Sequence, residues 1–248
     1  PGQRPAAVVI DNAPGSTTQW GIGSASVVLE AAARADTAPS LCLVYPSVSA
    51  MPTVGPVTLG QDLFWRLLSG QQVLPIQRGC DLYTRNFLDY WNLRAVDALE
   101  TGRNAFTTGN TDWASPLWCT NGQSVAKVLG SLSLSSALSE DPAESADSTQ
   151  EGDTPAVPTV PALLPQQTDG HLPDADAADA VQAAVQFPSG STTRFAYDTD
   201  TGTYGMLHND GSPQLDANTG IQAAFDNLLV LYSASTPVSY THLTLPTT

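Results

Sequence analysis

Short apolar runs separated by polar turns fill the first 130 residues. Four of these runs are too short for helices and rich in branched side chains, which predicts buried strands: 5–10 (PAAVVI), 25–30 (ASVVLE), 41–45 (LCLVY) and 73–77 (VLPIQ). Helical spacing of apolar residues appears instead in QDLFWRLLSG, DLYTRNFLDYW and QSVAKVLG, and Asp81 is placed to cap the second of these helices. Residues 31–40 (AAARADTAPS) fit either a loop or a short helical turn. The alternation of strand and helix predicts a layered α/β domain over 1–130.

The pattern changes after residue 130. Residues 131–178 are rich in Ser, Pro, Asp and Ala and contain no aromatic side chain, so they predict a disordered linker with an extended PAVPTVP piece. Beyond it, VQAAVQF alternates like a half-buried strand, and TTRFAYDTDTGTYGML has the pattern of a hairpin with DTDTG as its turn. The apolar NLLVLYS (227–233) predicts a further strand. The sequence therefore predicts an α/β N-terminal domain with a layered sheet and helices, joined by a disordered linker to a small β-rich C-terminal domain over 179–237.

The last residues, 238–248 (VSYTHLTLPTT), resemble the translation of a sequencing adapter. They are expected to be a non-native tail, which would leave the C-terminal domain truncated and residues 228–230 poorly covered on one side. The alternative is a natural edge strand.

The acidic residues are concentrated in one segment. Residues 1–130 carry nine acids and eight bases, whereas 131–190 carry ten acids and no base, within a net charge of −15. Because nucleic-acid binding needs a basic face, we expect no nucleic-acid partner. The sequence contains no apolar run long enough to span a membrane.

Cysteine and histidine usage restricts the possible chemistry. Cys42, Cys80 and Cys119 lie far apart without a CxxC pair, which argues against zinc and leaves buried free thiols or a single disulfide open. Every histidine (His171, His208 and His242) lies beyond residue 130, so a Ser-His or Cys-His pair cannot form within the first domain. GIGSAS at 21–26 precedes a strand rather than opening a helix, which argues against a dinucleotide site. We expect no cofactor.

Several short motifs occur in the order found in one bacterial family. The opening RPAAVVIDNAPGSTTQWGIGSASVVLE shares with the family Arg4, Pro5, Asp11, Asn12, Pro14, Gln19, Gly21 and Glu30. Later matches are Gly55, Pro56 and Val57, then Tyr197, Asp198, Gly202 and Tyr204, then Asp216, Thr219, Gly220 and Asn227. The chain resembles this family, the YerB-like lipoproteins, whose two domains have no known function. The resemblance implies a protein outside the cytoplasm, held at the cell surface by a lipid anchor upstream of this fragment, and no other membrane contact.

The chain also departs from the family pattern. Thr58 stands where the family has Arg in its GPVRSAR motif, and ASPLWCT (114–120) lacks the His of the corresponding family motif. These departures favour a protein that binds rather than catalyses.

Polar side chains follow three of the predicted strands. Asp11 and Asn12 end the first strand and Glu30 ends the second, so parallel strands would bring them to one edge of the sheet, where open α/β sheets bind ligands. Asp11 with Glu30 could form an acid/base pair or bind a polar ligand, with Gln77 and Arg78 as neighbours. The alternative is structural, with Asp11 and Asn12 capping the following loop.

Aromatic residues fall into two groups. Helical spacing predicts a core position for the first group: Phe64, Trp65, Tyr83, Phe87, Tyr90 and Trp91. Trp113 and Trp118 lie in a polar, Gly-flanked segment and are candidates for an exposed platform that stacks on sugar rings.

These observations support two hypotheses. The first is a non-enzymatic envelope module that binds a cell-wall polymer or an envelope protein. The second is a carboxylate-dependent envelope hydrolase that uses Asp11 and Glu30.

Overall fold

The computed structural model describes residues 2–16, 18–109, 116–138 and 180–232. Most of the expected linker (139–178), the expected non-native tail (238–248) and Trp113 lie outside the described residues.

A five-stranded sheet forms the centre of the N-terminal region, in the order β2-β3-β1-β4-β5. Its strands are β1 (Ala6–Asp11), β2 (Val27–Ala31), β3 (Ser40–Tyr45), β4 (Leu74–Gln77) and β5 (Val96–Asp97). β3 pairs antiparallel with both β1 and β2, whereas β4 pairs parallel with β1 and β5. Therefore β1, β2, β4 and β5 point the same way, and their carboxyl ends share one edge of the sheet. The four apolar runs are strands, as predicted.

Among the described residues, four α-helices accompany the sheet: α1 (Asp62–Leu67), α2 (Leu82–Tyr90), α3 (Ala98–Thr101) and α4 (Gly122–Leu129). The predicted cap is confirmed, because the Asp81 carboxylate accepts a hydrogen bond from Thr84 N at 2.8 Å at the start of α2. Residues 32–39 form turns rather than a helix. A short ribbon pairs β6 (Thr107–Thr108) with β7 (Trp118–Cys119).

Side chains of β1 enter two separate cores. Val8 and Ile10 contact one cluster, and Ala7 and Val9 contact the other, beside Phe64 and Trp65 of α1. A central strand that is covered on both faces buries the side chains of both faces, which explains why β1 is a continuous apolar run. The core prediction is wrong for two aromatic residues of α2, because that helix turns them to the surface: Tyr83 and Tyr90 are 56% and 64% exposed.

The segment Pro56 to Gly60 fills the gap between β1 and β4 at their carboxyl ends. Thr58 N donates to Val9 O at 2.9 Å on one side, and Arg78 N donates to Thr58 O at 2.9 Å on the other. The β1–β4 ladder itself covers only Ala6 to Val8. The crevice in which open α/β sheets bind ligands is therefore occupied here by the chain's own backbone.

The C-terminal region is a four-stranded antiparallel sheet in the order β11-β10-β9-β8. Its strands are β8 (Gln182–Gln186), β9 (Thr192–Asp198), β10 (Thr203–Leu207) and β11 (Ala224–Phe225). The predicted hairpin is confirmed: Tyr197 of β9 lies opposite Tyr204 of β10, with ring centroids 5.0 Å apart.

The predicted strand at 227–233 is wrong over the residues that the structure describes. Residues 227–232 form no ladder, and Leu229 and Leu231 are 68% and 73% exposed. An apolar run becomes a strand only where a neighbouring strand accepts its backbone hydrogen bonds, and no described residue offers such a ladder.

The two regions share one core. Met206 of β10 and Ala223 are fully buried in the cluster that contains Val8 and Ile10, with Phe195 and Phe225 packed against it. The C-terminal sheet is therefore part of the same packed body as the N-terminal sheet.

Packing of the N-terminal region also continues past residue 130, where the sequence places the start of the linker. Leu132 and Leu134 pack against the core, and Arg4 N donates to Ser136 O at 2.8 Å. Contacts with the N-terminal region thus reach residue 138. Leu132 and Leu134 in SLSL supply the apolar area for this packing, but the many serines around them make the average composition of the segment look polar.

Candidate functional site

The structure brings together three of the predicted site residues at the edge where β1 and β2 end. Asn12 Nδ2 donates to Glu30 Oε1 at 2.7 Å. The Asp11 carboxylate instead accepts a hydrogen bond from Ala13 N at 3.1 Å. This is an Asx-turn, so Asp11 has the local structural role that the sequence left open as the alternative.

Glu30 also contacts the C-terminal region. Thr193 Oγ1 of β9 donates to Glu30 Oε1 at 2.6 Å, so one carboxylate oxygen receives hydrogen bonds from both regions. Burial raises the pKa of Glu30 to about 7, although the hydrogen bonds from Thr193 and Asn12 act in the opposite direction.

Two buried glutamines extend this network, and sequence reasoning did not single out either as a site residue. Gln19 Nε2 donates to Asp11 O at 2.7 Å and to Asn12 Oδ1 at 3.0 Å. Gln214 Nε2, from the C-terminal region, donates to Asn12 Oδ1 at 3.4 Å and to Gln19 Oε1. Gln19 could have been found from its place in the family motif, whereas no sequence pattern marked Gln214.

Asp216 anchors the C-terminal region to the GIGSAS stretch. Its fully buried carboxylate accepts hydrogen bonds from Gly21 N at 3.1 Å, Gly23 N at 2.9 Å and Asn218 N at 2.8 Å. Gly21 has a φ of 91°, and a Cβ there would lie 2.6 Å from the Tyr45 hydroxyl, so only glycine fits. The glycines of GIGSAS therefore present backbone N–H groups to a carboxylate of the same chain.

We call this set of residues the clasp: Asn12, Gln19, Glu30, Thr193, Gln214 and Asp216. Each has a hydrogen-bond partner from elsewhere in the chain. The clasp joins the two regions, and it includes two of the residues that the sequence offered as a ligand site, Asn12 and Glu30.

Gln77 lies in a different buried network. Its Oε1 accepts from Trp65 Nε1 at 3.1 Å, and its Nε2 donates to Asp97 Oδ2 at 3.0 Å. Asp97 Oδ1 accepts from Gly79 N at 2.8 Å. A Cβ at position 60 would lie 1.8 Å from Gln77 Oε1, so Gly60 leaves the room that this glutamine needs. No hydrogen bond between described residues links Gln77 to the clasp.

The exposed Arg78 meets Trp118, which packs against the main core, at the carboxyl end of β4. The Arg78 guanidinium carbon lies 5.8 Å from the centroid of the Trp118 ring, within cation–π range. Arg78 is exposed, and no ion pair in the described part of the chain involves it. Trp118 is half-buried, and no described residue accepts a hydrogen bond from its Nε1.

The cysteines do not form a reactive centre. All three are free, and burial raises the pKa of Cys119 to about 11 and the pKa of Cys42 further. Such thiols stay protonated at neutral pH and are poor nucleophiles. The described residues contain no group of three or more His, Cys, Asp or Glu side chains placed to hold a metal ion. No helix within those ranges has both the length and the apolar character needed to cross a bilayer.

Comparisons with known proteins agree with this architecture. The family model described as "Protein of unknown function (DUF3048) N-terminal domain" matches residues 1–134. The fold is similar to the crystal structure of the YerB protein from Bacillus subtilis, with a TM-score of 0.67 and 20% identity over 90% of this chain and 67% of that one. At this identity the likeness shows the fold alone. No curated protein matches the chain. The chain therefore belongs to the DUF3048 family of proteins of unknown function.

Proposed function

We propose that the chain is a non-catalytic module of the cell envelope that binds an anionic wall polymer through Arg78 and Trp118. The observation that carries the proposal is the pairing of the exposed Arg78 with the half-buried Trp118, with the guanidinium 5.8 Å from the ring centroid. An indole ring offers an apolar face for a sugar ring, and the guanidinium offers hydrogen bonds and positive charge to a phosphate or carboxylate. A charged glycan polymer presents both features side by side.

The state of the other candidate residues favours binding over catalysis. Asp11 is engaged in its Asx-turn, Glu30 is held by Asn12 and Thr193, and Gln77 is held by Trp65 and Asp97. The crevice between β1 and β4 is closed by the backbone of Pro56 to Gly60. The exposed Arg78 is thus the polar candidate best placed to meet a large ligand.

The envelope location is supported by the resemblance of the chain to a lipoprotein family. A polymer of the cell wall is the charged glycan that such a protein would meet. An envelope protein with an acidic, sugar-bearing surface would offer the same chemistry to Arg78 and Trp118.

Co-sedimentation of the full chain with purified insoluble wall polymer tests this proposal. We expect Arg78→Gln and Trp118→Leu each to weaken binding about fivefold or more, the size expected when about 1 kcal/mol of contact energy is lost. Arg34→Gln is the matched control, because Arg34 is an exposed arginine paired with Asp36 away from this surface.

Two results would contradict the proposal. One is a wild-type chain that stays in solution with the polymer present. The other is an equal loss of binding in Arg34→Gln and Arg78→Gln, which would mean that overall charge, rather than this surface, is responsible.

The hydrolase remains a second candidate because of one observation. A carboxyl group whose pKa is near 7, as for Glu30, is suited to general acid/base catalysis at neutral pH. If the chain cleaves wall polymer, Glu30→Gln and Asp11→Asn should abolish product release while co-sedimentation is retained. A wild-type chain that releases no soluble product over prolonged incubation excludes this candidate.

A further inference from the structure

A second open surface lies beside β5, which is an edge strand of the five-stranded sheet. A cavity of about 220 Å³ opens there, and Gln77 and Asp97 line it with buried side chains. Gln77 donates a hydrogen bond to Asp97 and accepts one from the Trp65 indole, and Asp97 also accepts from the backbone N–H groups of Gly79 and Leu99. We call this cavity the β5 groove.

Four exposed charged side chains surround the β5 groove. Arg85 and Asp89 come from α2, Arg94 precedes β5, and Glu100 belongs to α3. No ion pair among the described residues joins any of these four groups. Arg94 makes one hydrogen bond, from Nη1 to Leu132 O at 3.2 Å, which leaves other N–H groups of its guanidinium available.

None of the four charged groups around the β5 groove pairs with another in the described part of the chain. Arg85 and Asp89 are four residues apart on one helix, where opposite charges commonly pair, yet here they do not. Two cations and two anions thus line a common space without neutralising one another. A ligand that carries both signs of charge would satisfy all four groups at once.

We propose that the β5 groove binds a small zwitterion, of the class of an amino acid or a dipeptide. Its carboxylate binds the guanidinium groups of Arg85 and Arg94, and its ammonium group donates to the carboxylates of Asp89 and Glu100. A volume of about 220 Å³ is equivalent to roughly seven water molecules at about 30 Å³ each. That room suits a single amino acid or dipeptide. The proposal is independent of polymer binding, since it uses neither Arg78 nor Trp118.

An NMR titration of the full, isotope-labelled chain tests this assignment with three matched probes. L-alanyl-L-alanine carries both charges, N-acetyl-L-alanine carries only the carboxylate, and L-alaninamide carries only the ammonium group. We expect saturable shifts of the backbone amides of Gly79, Cys80 and Arg94 with the dipeptide. Each single-charge probe should bind at least about fivefold more weakly, because it loses the contacts of one charged pair.

Substitutions on the rim test the same point from the side of the protein. Arg85→Gln and Glu100→Gln should each weaken dipeptide binding at least about fivefold, and Arg34→Gln should leave it unchanged. Both rim residues are exposed, and thermal melting will show that the variants remain folded.

Three results would overturn the proposal. They are the absence of saturable shifts with the dipeptide, equal affinity for the dipeptide and either single-charge probe, and an equal loss of affinity in Arg34→Gln and Arg85→Gln. The single-charge probes act on the unmodified chain, so this comparison does not depend on how any variant folds.

Discussion

The clasp and the β4–β5 end lie at the same edge of the sheet. The side chains of the clasp are hydrogen-bonded within the chain, whereas the arginines near the β4–β5 end are exposed. In the clasp, side chains of the C-terminal region donate hydrogen bonds to Asn12 and Glu30, and the Asp216 carboxylate accepts one from Gly21 N. No hydrogen bond between described residues connects the C-terminal region to β4 or β5, where Arg78, Arg85 and Arg94 remain exposed. The C-terminal sheet therefore covers one part of the carboxyl edge and leaves the other part open.

This difference separates stability from binding. Buried polar groups with partners inside the chain contribute to folding, and removing one partner leaves the other unsatisfied. Exposed charged groups contribute little to folding and are available to a ligand. Position at the carboxyl edge of an α/β sheet does not by itself identify a ligand-binding residue.

The largest expected effect is at Asp216. Asp216→Ala would leave the buried N–H group of Gly21 and the partly buried N–H groups of Gly23 and Asn218 without their acceptor. We expect the free energy of unfolding to fall by about 3 kcal/mol, measured by urea denaturation. Asp210→Ala is the control, because Asp210 makes only local bonds to Ser212 on the surface, and it should leave the unfolding midpoint unchanged. Equal effects of the two substitutions would remove the distinction between clasp and surface.

The next effect is the pH dependence that Glu30 gives to stability. Because the folded pKa is raised from 4.5 to about 7, the folded state binds the proton more tightly. The contribution of the protonated Glu30 to the free energy of unfolding is fully present below pH 4.5 and is lost as pH rises through about 7. The loss should total on the order of 3 kcal/mol by linkage.

Urea denaturation between pH 4 and pH 8 checks this sign on the wild-type chain and two variants. Glu30→Gln should remove the fall in stability across that window, whereas the exposed Glu100→Gln should keep it. A Glu30→Gln curve that retains the wild-type slope would show that other groups cause it.

A smaller effect is expected at Thr193. Thr193→Val removes the hydroxyl that donates to Glu30 Oε1, and this hydrogen bond favours the ionised carboxylate. We expect a loss of about 1 kcal/mol in stability and a Glu30 pKa above the wild-type value. Carbon NMR of the Glu30 carboxyl group measures the pKa directly. An unchanged or lower pKa would mean that the bond from Thr193 does not act on Glu30.

The smallest effect is expected at the open edge. Arg78→Gln removes only an exposed cation–π contact, so the free energy of unfolding should change by no more than about 1 kcal/mol. The same variant should weaken polymer binding, which separates the two roles in one protein. A large loss of stability in Arg78→Gln would show that Arg78, like the clasp residues, contributes to folding, and would contradict its assignment to the binding surface.

Local features of this protein could be predicted from its sequence. Side-chain periodicity and turn chemistry predict the four apolar strands β1 to β4, helix α2 with its Asp81 cap, and the hairpin of β9 and β10. These signals act between residues a few positions apart, so they survive without knowledge of the rest of the chain. The position of Asp11, Asn12 and Glu30 at one edge of the sheet was also predictable, because it needed only that β1 and β2 point the same way. The sequence paired Asp11 with Glu30, whereas it is Asn12 that makes the contact.

The tertiary structure decided which polar residues were free. Glu30 and Thr193 are 163 positions apart, and the sequence around either residue does not predict the hydrogen bond between them. The sequence likewise did not predict the hydrogen bonds of Gln214 or the backbone segment that fills the crevice between β1 and β4. Nor did it predict that residues 227–232 pair with no strand among the described residues. Local preference specifies the shape of a segment, but a buried polar group or an apolar run acquires its role only from the partner that packing brings to it.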